Sequence, residues 1–107
     1  MQKSIPIDEI AHDFESAVVE VLVKKATRAI NEYKVKDLLL GGGVAANKHL
    51  RASLVEALPS INIHIPPVWL CGDNAAYIAS AAYFNLKAKP LSEIVPNPSL
   101  TIQDYSL

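Results

Sequence analysis

The sequence is short of features that several classes of protein require. Cys71 is the one cysteine among 107 residues, so no disulfide can form within the chain and no cysteine pair marks a zinc site. The formal net charge is −1, whereas a protein that binds nucleic acid alone usually carries a basic stripe. No apolar run approaches the roughly 18 residues of a membrane helix, and no basic-then-apolar leader pattern is visible. We therefore expect a cytoplasmic protein without a membrane segment, whose RNA contacts would be shared with another domain or subunit.

Glycine is also scarce, and three of the four glycines stand together at Gly41, Gly42 and Gly43. An apolar run of strand type precedes them and a helical pattern follows. Glycine lets the backbone turn sharply and approach a ligand closely, and the start of a helix suits a phosphate. An ordinary tight strand-to-helix turn explains the same residues. The spacing matches neither a P-loop nor G-x-G-x-x-G, so the turn alone does not identify a ligand.

The periodicity of apolar residues predicts an α/β protein. The predicted elements are a helix at 8–33 with Asp8 as N-cap, a buried strand at 35–40, a helix at 47–58, a strand at 61–65 and a helix from Asp73. Strands that alternate with helices favour parallel pairing. Because a sheet of two strands is marginal alone, this order indicates part of a larger domain or a chain that dimerises.

Two polar residues at predicted helix starts each allow two interpretations. Asn47 suits a helix cap, but its amide could also pair with a base edge or a ribose hydroxyl. Asp73 suits a cap as well, and its carboxylate could instead be a hard oxygen ligand for a metal. The cap is the better-supported reading of both residues when they are taken alone.

Other reactive or aromatic side chains give weaker signals. Cys71 is predicted to be a buried structural thiol rather than a nucleophile, because no histidine is paired with it in the sequence. The three histidines are scattered without a His-x-x-x-His pair, so we expect surface or partly buried side chains. Trp69 and Tyr77 could stack a base, although packing is the commoner fate of aromatic residues.

Two motifs taken together resemble a known family. Gly42-Gly43-Val44-Ala45-Ala46-Asn47 with Leu50-Arg51, then Pro66-Pro67 and Cys71-Gly72-Asp73-Asn74-Ala75-Ala76-Tyr77-Ile78-Ala79, are similar to the TsaD/Gcp family. These are tRNA adenosine threonylcarbamoyltransferases, formerly described as O-sialoglycoprotein endopeptidases. The resemblance extends to about Leu86 and covers only the C-terminal part of such proteins.

The resemblance implies a fold and a division of the chain. Residues 1–87 would be part of the C-terminal lobe of an actin-like ATPase or hexokinase fold, and residues 88–107 a proline-containing tail. The complete enzyme would transfer threonylcarbamoyl from threonylcarbamoyl-adenylate, made by partner proteins, to an adenosine of tRNA. Gly42, Gly43 and Asn47 would contact the adenylate or ATP. Asp73 would be a metal ligand, usually to iron.

The sequence also departs from the family pattern. The other expected metal ligands, two histidines of a His-x-x-x-His, belong to an N-terminal lobe that this sequence lacks, and Gly72 stands where threonine is frequent. We therefore expect a truncated protein or a misassigned short gene, which alone neither holds iron tightly nor transfers the group. An alternative is a non-catalytic interaction module of the same fold that forms a homodimer. A weaker alternative is the C-terminal lobe of a sugar or acetate kinase. The peptidase description has no support, because no Cys/His or Ser/His pairing has a readable spacing.

Overall fold

A computed structural model describes residues 5–101 of the chain. In chain order, its helices and strands are α1 (Ile7–Tyr33), β1 (Asp37–Leu39), α2 (Lys48–Ala57), β2 (Asn62–His64) and α3 (Ala75–Phe84). Single 3₁₀ turns cover Gly43–Ala46, Val68–Leu70 and Leu91–Glu93. The predicted order of helices and strands is confirmed. The chain divides into two compact units, Met1–Asp73 and Asn74–Leu107, and the predicted boundary at residue 88 stays a prediction.

Strands β1 and β2 form a parallel two-stranded sheet. Leu38 pairs with Ile63, and the neighbouring pairs are Asp37 with Asn62 and Leu39 with His64. Parallel strands need a crossover connection, usually a helix, and α2 is that helix here. The α/β class and the parallel pairing predicted from the sequence are therefore confirmed.

The core of the first unit lies where α1 meets α2 and one face of the sheet. Its buried side chains are Val19, Ile30, Leu50, Leu54 and Leu58. Leu38 and Ile63 pack against this cluster from the sheet. The leucine repeat of the predicted second helix thus provides its buried face. Burial of each such side chain contributes roughly 1.5–3 kcal/mol to folding.

The prediction of a strand within 35–40 is confirmed, but the prediction that this strand is buried is wrong. Strand β1 is shorter, and its residues alternate between exposed and partly buried. Leu39 is 78% exposed, because α1 and α2 cover only one face of the sheet. Within the described part of the first unit, the other face of β1 has no packed element that would hide an apolar side chain.

Helix α1 has polar residues at both ends and buries few side chains. Its N-cap is Pro6, and no side chain accepts a hydrogen bond there, so the prediction of Asp8 as cap is wrong. Asp8 instead lies in the first turn, where a carboxylate stabilises the free N–H groups. The helix ends at Tyr33, and its C-cap Lys34 adopts a left-handed conformation with φ 54°.

The second unit contains α3, which buries none of its residues. Asn74, not Asp73, is its N-cap, and Asn74 Oδ1 accepts a hydrogen bond from the amide of Tyr77 at 3.2 Å. The prediction of Asp73 as cap is therefore wrong. The predicted tail at 88–107 is described only to residue 101 and contains one 3₁₀ turn.

Across residues 5–101, no helix is long and apolar enough to cross a membrane.

Candidate functional site

The two motifs follow the carboxyl ends of the two parallel strands. Gly41 to Gly43 come after β1, and the segment from Pro66 to Asp73 comes after β2. In open α/β sheets, ligands bind in the crevice outside the carboxyl ends of the strands. An open depression of about 600 Å³ lies there, with Gly41, His64 and Pro66 in its lining. The pairing of β1 with β2 thus brings both sequence motifs to one edge of the sheet.

The glycine turn has one position that requires glycine. Gly42 has φ 89° and ψ 175°, a conformation that is almost confined to glycine. The carbonyl of Gly42 then accepts a hydrogen bond from the amide of Ala45 at 3.0 Å, which closes the 3₁₀ turn. Gly43 is exposed, and a Cβ built there meets no atom within 4 Å. The space beside the turn is open enough for a close approach by a ligand.

Asn47 connects the glycine turn to α2. As N-cap of α2, its Oδ1 accepts a hydrogen bond from the amide of Leu50 at 2.8 Å, which confirms the cap interpretation. Its Nδ2 donates to Glu15 Oε1 at 2.7 Å. An amide group has two lone pairs on oxygen and two N–H donors. The cap uses one lone pair and the Glu15 contact uses one N–H. One lone pair and one N–H of the amide therefore remain for a ligand.

Arg51 lies one helical turn after Asn47 and contacts both motifs. Its Nε donates to the carbonyl of Ala45 at 2.5 Å, inside the turn that follows the glycines. Its Nη2 donates to the carbonyl of Pro66 at 2.7 Å and contacts Cys71 Sγ at 3.1 Å. One guanidinium therefore joins the segment after β1 to the segment after β2.

The second motif has a buried start and an exposed end. Cys71 is 5% exposed, so the predicted burial of its thiol is confirmed. Asp73 is exposed and immediately precedes the cap of α3. Trp69 is 74% exposed and is not packed, contrary to the more common fate we expected of it. An exposed ring at this edge leaves the stacking interpretation open.

A metal centre needs several donor side chains close together. Asp73 presents a carboxylate, which suits Mg²⁺ or iron. Among the described residues, no group of three or more His, Cys, Asp or Glu side chains could hold a metal ion. The described residues therefore do not make a metal centre by themselves.

One titratable pair lies on the exposed face of the sheet. His64 Nε2 is 3.0 Å from Asp37 Oδ1, and it must carry the proton because a carboxylate only accepts. This hydrogen bond, followed by one from the Asn62 side chain, lowers the pKa of Asp37. The three described histidines are all exposed, as predicted. The pair is a side-chain contact between β1 and β2.

Comparison with known proteins identifies the family. Residues 2–80 match the model of TsaD, described as tRNA N6-adenosine threonylcarbamoyltransferase, and this stretch contains both motifs. The chain belongs to the TsaD family. It is 47% identical over 103 residues to the tRNA N6-adenosine threonylcarbamoyltransferase of Listeria welshimeri, a match that covers 91% of the chain and 30% of that relative.

Two further TsaD relatives carry the same description. The protein of Enterococcus faecalis is 44% identical over 102 residues, covering 82% of the chain and 29% of the relative. The protein of Halalkalibacterium halodurans is 42% identical over 106 residues. This match covers 95% of the chain and 31% of the relative. The chain thus spans about 30% of the length of the curated relatives it matches. The resemblance read from the two motifs is confirmed.

The sequence interpretation did not find the residues that organise the edge. Arg51 was part of a motif but had no assigned role, and its partners Pro66 and Cys71 lie 15 and 20 residues away. Glu15 reaches Asn47 across 32 residues. The position of Arg51 one turn after Asn47 was the available signal, because residues four apart share one face of a helix.

Proposed function

We propose that this chain is the C-terminal segment of a tRNA threonylcarbamoyltransferase and provides one side of its adenylate site. The observation that carries the proposal is the meeting of both TsaD motifs at the carboxyl edge of one parallel sheet, where Arg51 bonds to each. The unit of strand, helix and strand would belong to the C-terminal lobe of an actin-like ATPase fold, over residues 1–87. Residues 88–107 would be a separate tail.

Each candidate residue has a role in this proposal. Gly42 and Gly43 let the backbone approach the adenylate or ATP, and the remaining amide capacity of Asn47 contacts it. Asp73 is one ligand of a metal, iron in the family, whose other ligands come from an N-terminal lobe. The cell compartment would be the cytoplasm, where tRNA and the proteins that synthesise the adenylate would be the partners.

The contribution to the reaction would be positional. The amine of the tRNA adenosine would attack the carbamoyl carbon and form a new N–C bond. The amine would lose one proton to solvent, the bond from the carbon to the phosphate oxygen would break, and AMP would leave. Fixing the two reactants in an attack geometry lowers the barrier. Backbone N–H groups of the glycine turn would hold the phosphate that departs.

A graft tests the proposal directly. Residues 2–80 would replace the matching segment of the Listeria welshimeri relative, and threonylcarbamoyladenosine would be measured in tRNA by mass spectrometry. The graft should restore the modified nucleoside, and Asp73→Asn within it should abolish the product. The matched control is Asp13→Asn, on an exposed part of α1. Full modification by the Asp73→Asn graft would contradict the metal-ligand role.

The isolated chain should lack both tight iron binding and transfer activity. It offers one carboxylate to the metal and one side of the cleft to the adenylate. Calorimetric titration with ferrous iron should give no tight one-to-one binding. A sharp equivalence point at one iron per chain would contradict this expectation.

A second candidate function is a non-catalytic interaction module that dimerises. Large exposed apolar side chains favour it, among them Phe14 at 70%, Trp69 at 74% and Phe84 at 77% exposure. The first unit also has an apolar groove of about 480 Å³, lined in part by Val18, Leu22 and Val44. Sedimentation equilibrium separates the candidates, because a strict monomer at high concentration contradicts dimerisation.

A further inference from the structure

The contacts of Arg51 are unlike those of a surface arginine. Its side chain is partly buried, and Nε and Nη2 form one edge of the planar guanidinium. This edge reaches the Ala45 carbonyl at 2.5 Å and the Pro66 carbonyl at 2.7 Å, with Cys71 Sγ at 3.1 Å from Nη2. The other arginine, Arg28, has a side chain 86% exposed and lies 3.9 Å from Glu32 on its own helix.

The acceptors belong to segments that are distant in sequence. Ala45 is two residues after Gly43, and Cys71 is two residues before Asp73. Successive Cα atoms are about 3.8 Å apart, so the Ala45 and Cys71 contacts lie very near proposed ligand-binding residues, whereas the Pro66 bond holds the start of the segment that leads to Asp73. Lysine has a compact charge without this fork and cannot reproduce two bonds from one rigid plane.

We propose that Arg51 is a positioning residue, which sets the separation between the glycine turn and the segment that carries Asp73. We call the bonds from Arg51 to Ala45, Pro66 and Cys71 the clamp, because they join the two segments. The existence of this clamp follows from the contacts alone. Its effect on ligand binding rests on the proposed adenylate site. Arg51 touches backbone and a thiol, and it acts on the nucleotide only through the two segments that it holds.

Cys71 provides a reporter of the clamp because it is the one cysteine in the chain. It is buried, and its Sγ also lies 3.6 Å from the carbonyl of Pro67. A thiol reagent such as dithionitrobenzoate can react only when the segment opens. Loss of a charge-assisted bond should raise the open population about tenfold.

The experiment compares Arg51→Met and Arg51→Lys with Arg28→Met as matched control in the 107-residue chain. Native-state labelling of Cys71 should be about tenfold faster in Arg51→Met and unchanged in Arg28→Met. Arg51→Lys keeps the charge and most of the aliphatic stem, so it should fold even if Arg51→Met does not. It should also label faster than the unaltered chain. Circular dichroism confirms folding of each variant.

ATP is the probe for the second readout, followed by the NMR shifts of the Gly42, Gly43 and Asp73 amides. The unaltered chain should bind at millimolar ATP, and Arg51→Lys should bind several-fold more weakly while its fold is retained. Unchanged labelling in both Arg51 variants overturns the clamp. Faster labelling with unchanged ATP affinity overturns the positioning role and leaves a purely structural clamp. No ATP shifts in the unaltered chain overturn the proposed site and the positioning role with it, whereas the labelling rates still decide the clamp.

Discussion

Helices α2 and α3 have the same length and the same kind of cap, yet only α2 buries side chains. Each has 10 residues and begins after an asparagine whose side chain accepts a backbone hydrogen bond. Helix α2 buries Leu50 and Leu54, whereas α3 buries nothing. The cap is a local interaction that determines where a helix begins. Burial depends on an apolar surface opposite the helix, which α1 and the sheet supply to α2.

The comparison separates apolar composition from core formation. Helix α3 is almost entirely alanine and larger apolar residues, but Ile78 is 62% exposed and Tyr83 80% exposed. Helix α2 is more polar, and its leucines recur at every fourth residue. A helix that is apolar all round is usually buried by neighbouring elements. Helix α3 nevertheless buries none of its residues.

The largest expected difference between the helices comes from side-chain truncation. Leu54→Ala should destabilise the chain by about 2–5 kcal/mol, because it removes a fully buried side chain and leaves a cavity. Ile78→Ala on α3 should change stability by no more than about 0.5 kcal/mol. Urea denaturation followed by circular dichroism measures both. Equal losses would show that α3 is packed as α2 is.

The second-largest difference in stability should appear when a glycine is replaced in the loop before each helix. Gly42→Ala places a Cβ at φ 89° and should cost about 1–3 kcal/mol through backbone strain. Gly72→Ala has no such strain and meets open space, so it should be nearly neutral. The thermal melting midpoint of each variant tests this. An unchanged melting midpoint in Gly42→Ala would mean that the turn does not require a glycine with positive φ at this position.

The two caps should differ by less. Asn47→Ala removes the α2 cap and also the Glu15 contact, so a loss of about 1–2 kcal/mol is expected. Asn74→Ala removes a longer cap bond at an exposed helix, and a loss near 0.5 kcal/mol is expected. Denaturant midpoints give both values. A larger loss for Asn74→Ala would reverse the ranking of the helices.

The smallest change in stability should come from the contact between Asp37 on β1 and His64 on β2, the two strands that flank α2. The folded-state pKa of Asp37 is lowered, so the stabilisation from its contacts is present above the ordinary carboxyl pKa of about 3.9. It is lost as the pH falls through the folded-state value. Asp37→Asn should therefore be slightly destabilising at pH values near about 7 and equal to the unaltered chain in strong acid. Asp13→Asn, compared by the same pH series of melting curves, is the control, and an effect of Asp37→Asn that persists in acid would contradict the assignment.

The elements could be predicted from sequence because their signals are local. The leucine spacing of α2 and the alternation around Ile63 correctly placed a helix and a parallel strand. Asp73 and Asn74 are adjacent capping residues, and their sequence does not determine which one the helix uses. The exposure of Leu39 depends on which elements cover the sheet, and no pattern within β1 contains that information.

The candidate site was predictable only in its motifs. The glycine turn and the Asp73 segment were visible in the sequence, and parallel pairing was enough to bring them to one edge. The contacts of Arg51 with Pro66 and Cys71, and the contact of Glu15 with Asn47, join residues separated by 15 or more positions. Such contacts depend on how α1 and the segment after β2 pack against α2, which periodicity does not specify in detail.

The unequal lengths of α1 and α2 affect how long different turns of α1 persist. At 1.5 Å per residue, the 27 residues of α1 extend about 40 Å and the 10 residues of α2 about 15 Å. Residues 7–14 are all exposed, whereas Val19 and Ile30 are buried. Helical turns without tertiary support depend on weak local propensity. The first two turns of α1 should therefore fray and re-form many times during the lifetime of its C-terminal half, so that one continuous helix has two very different rates of opening.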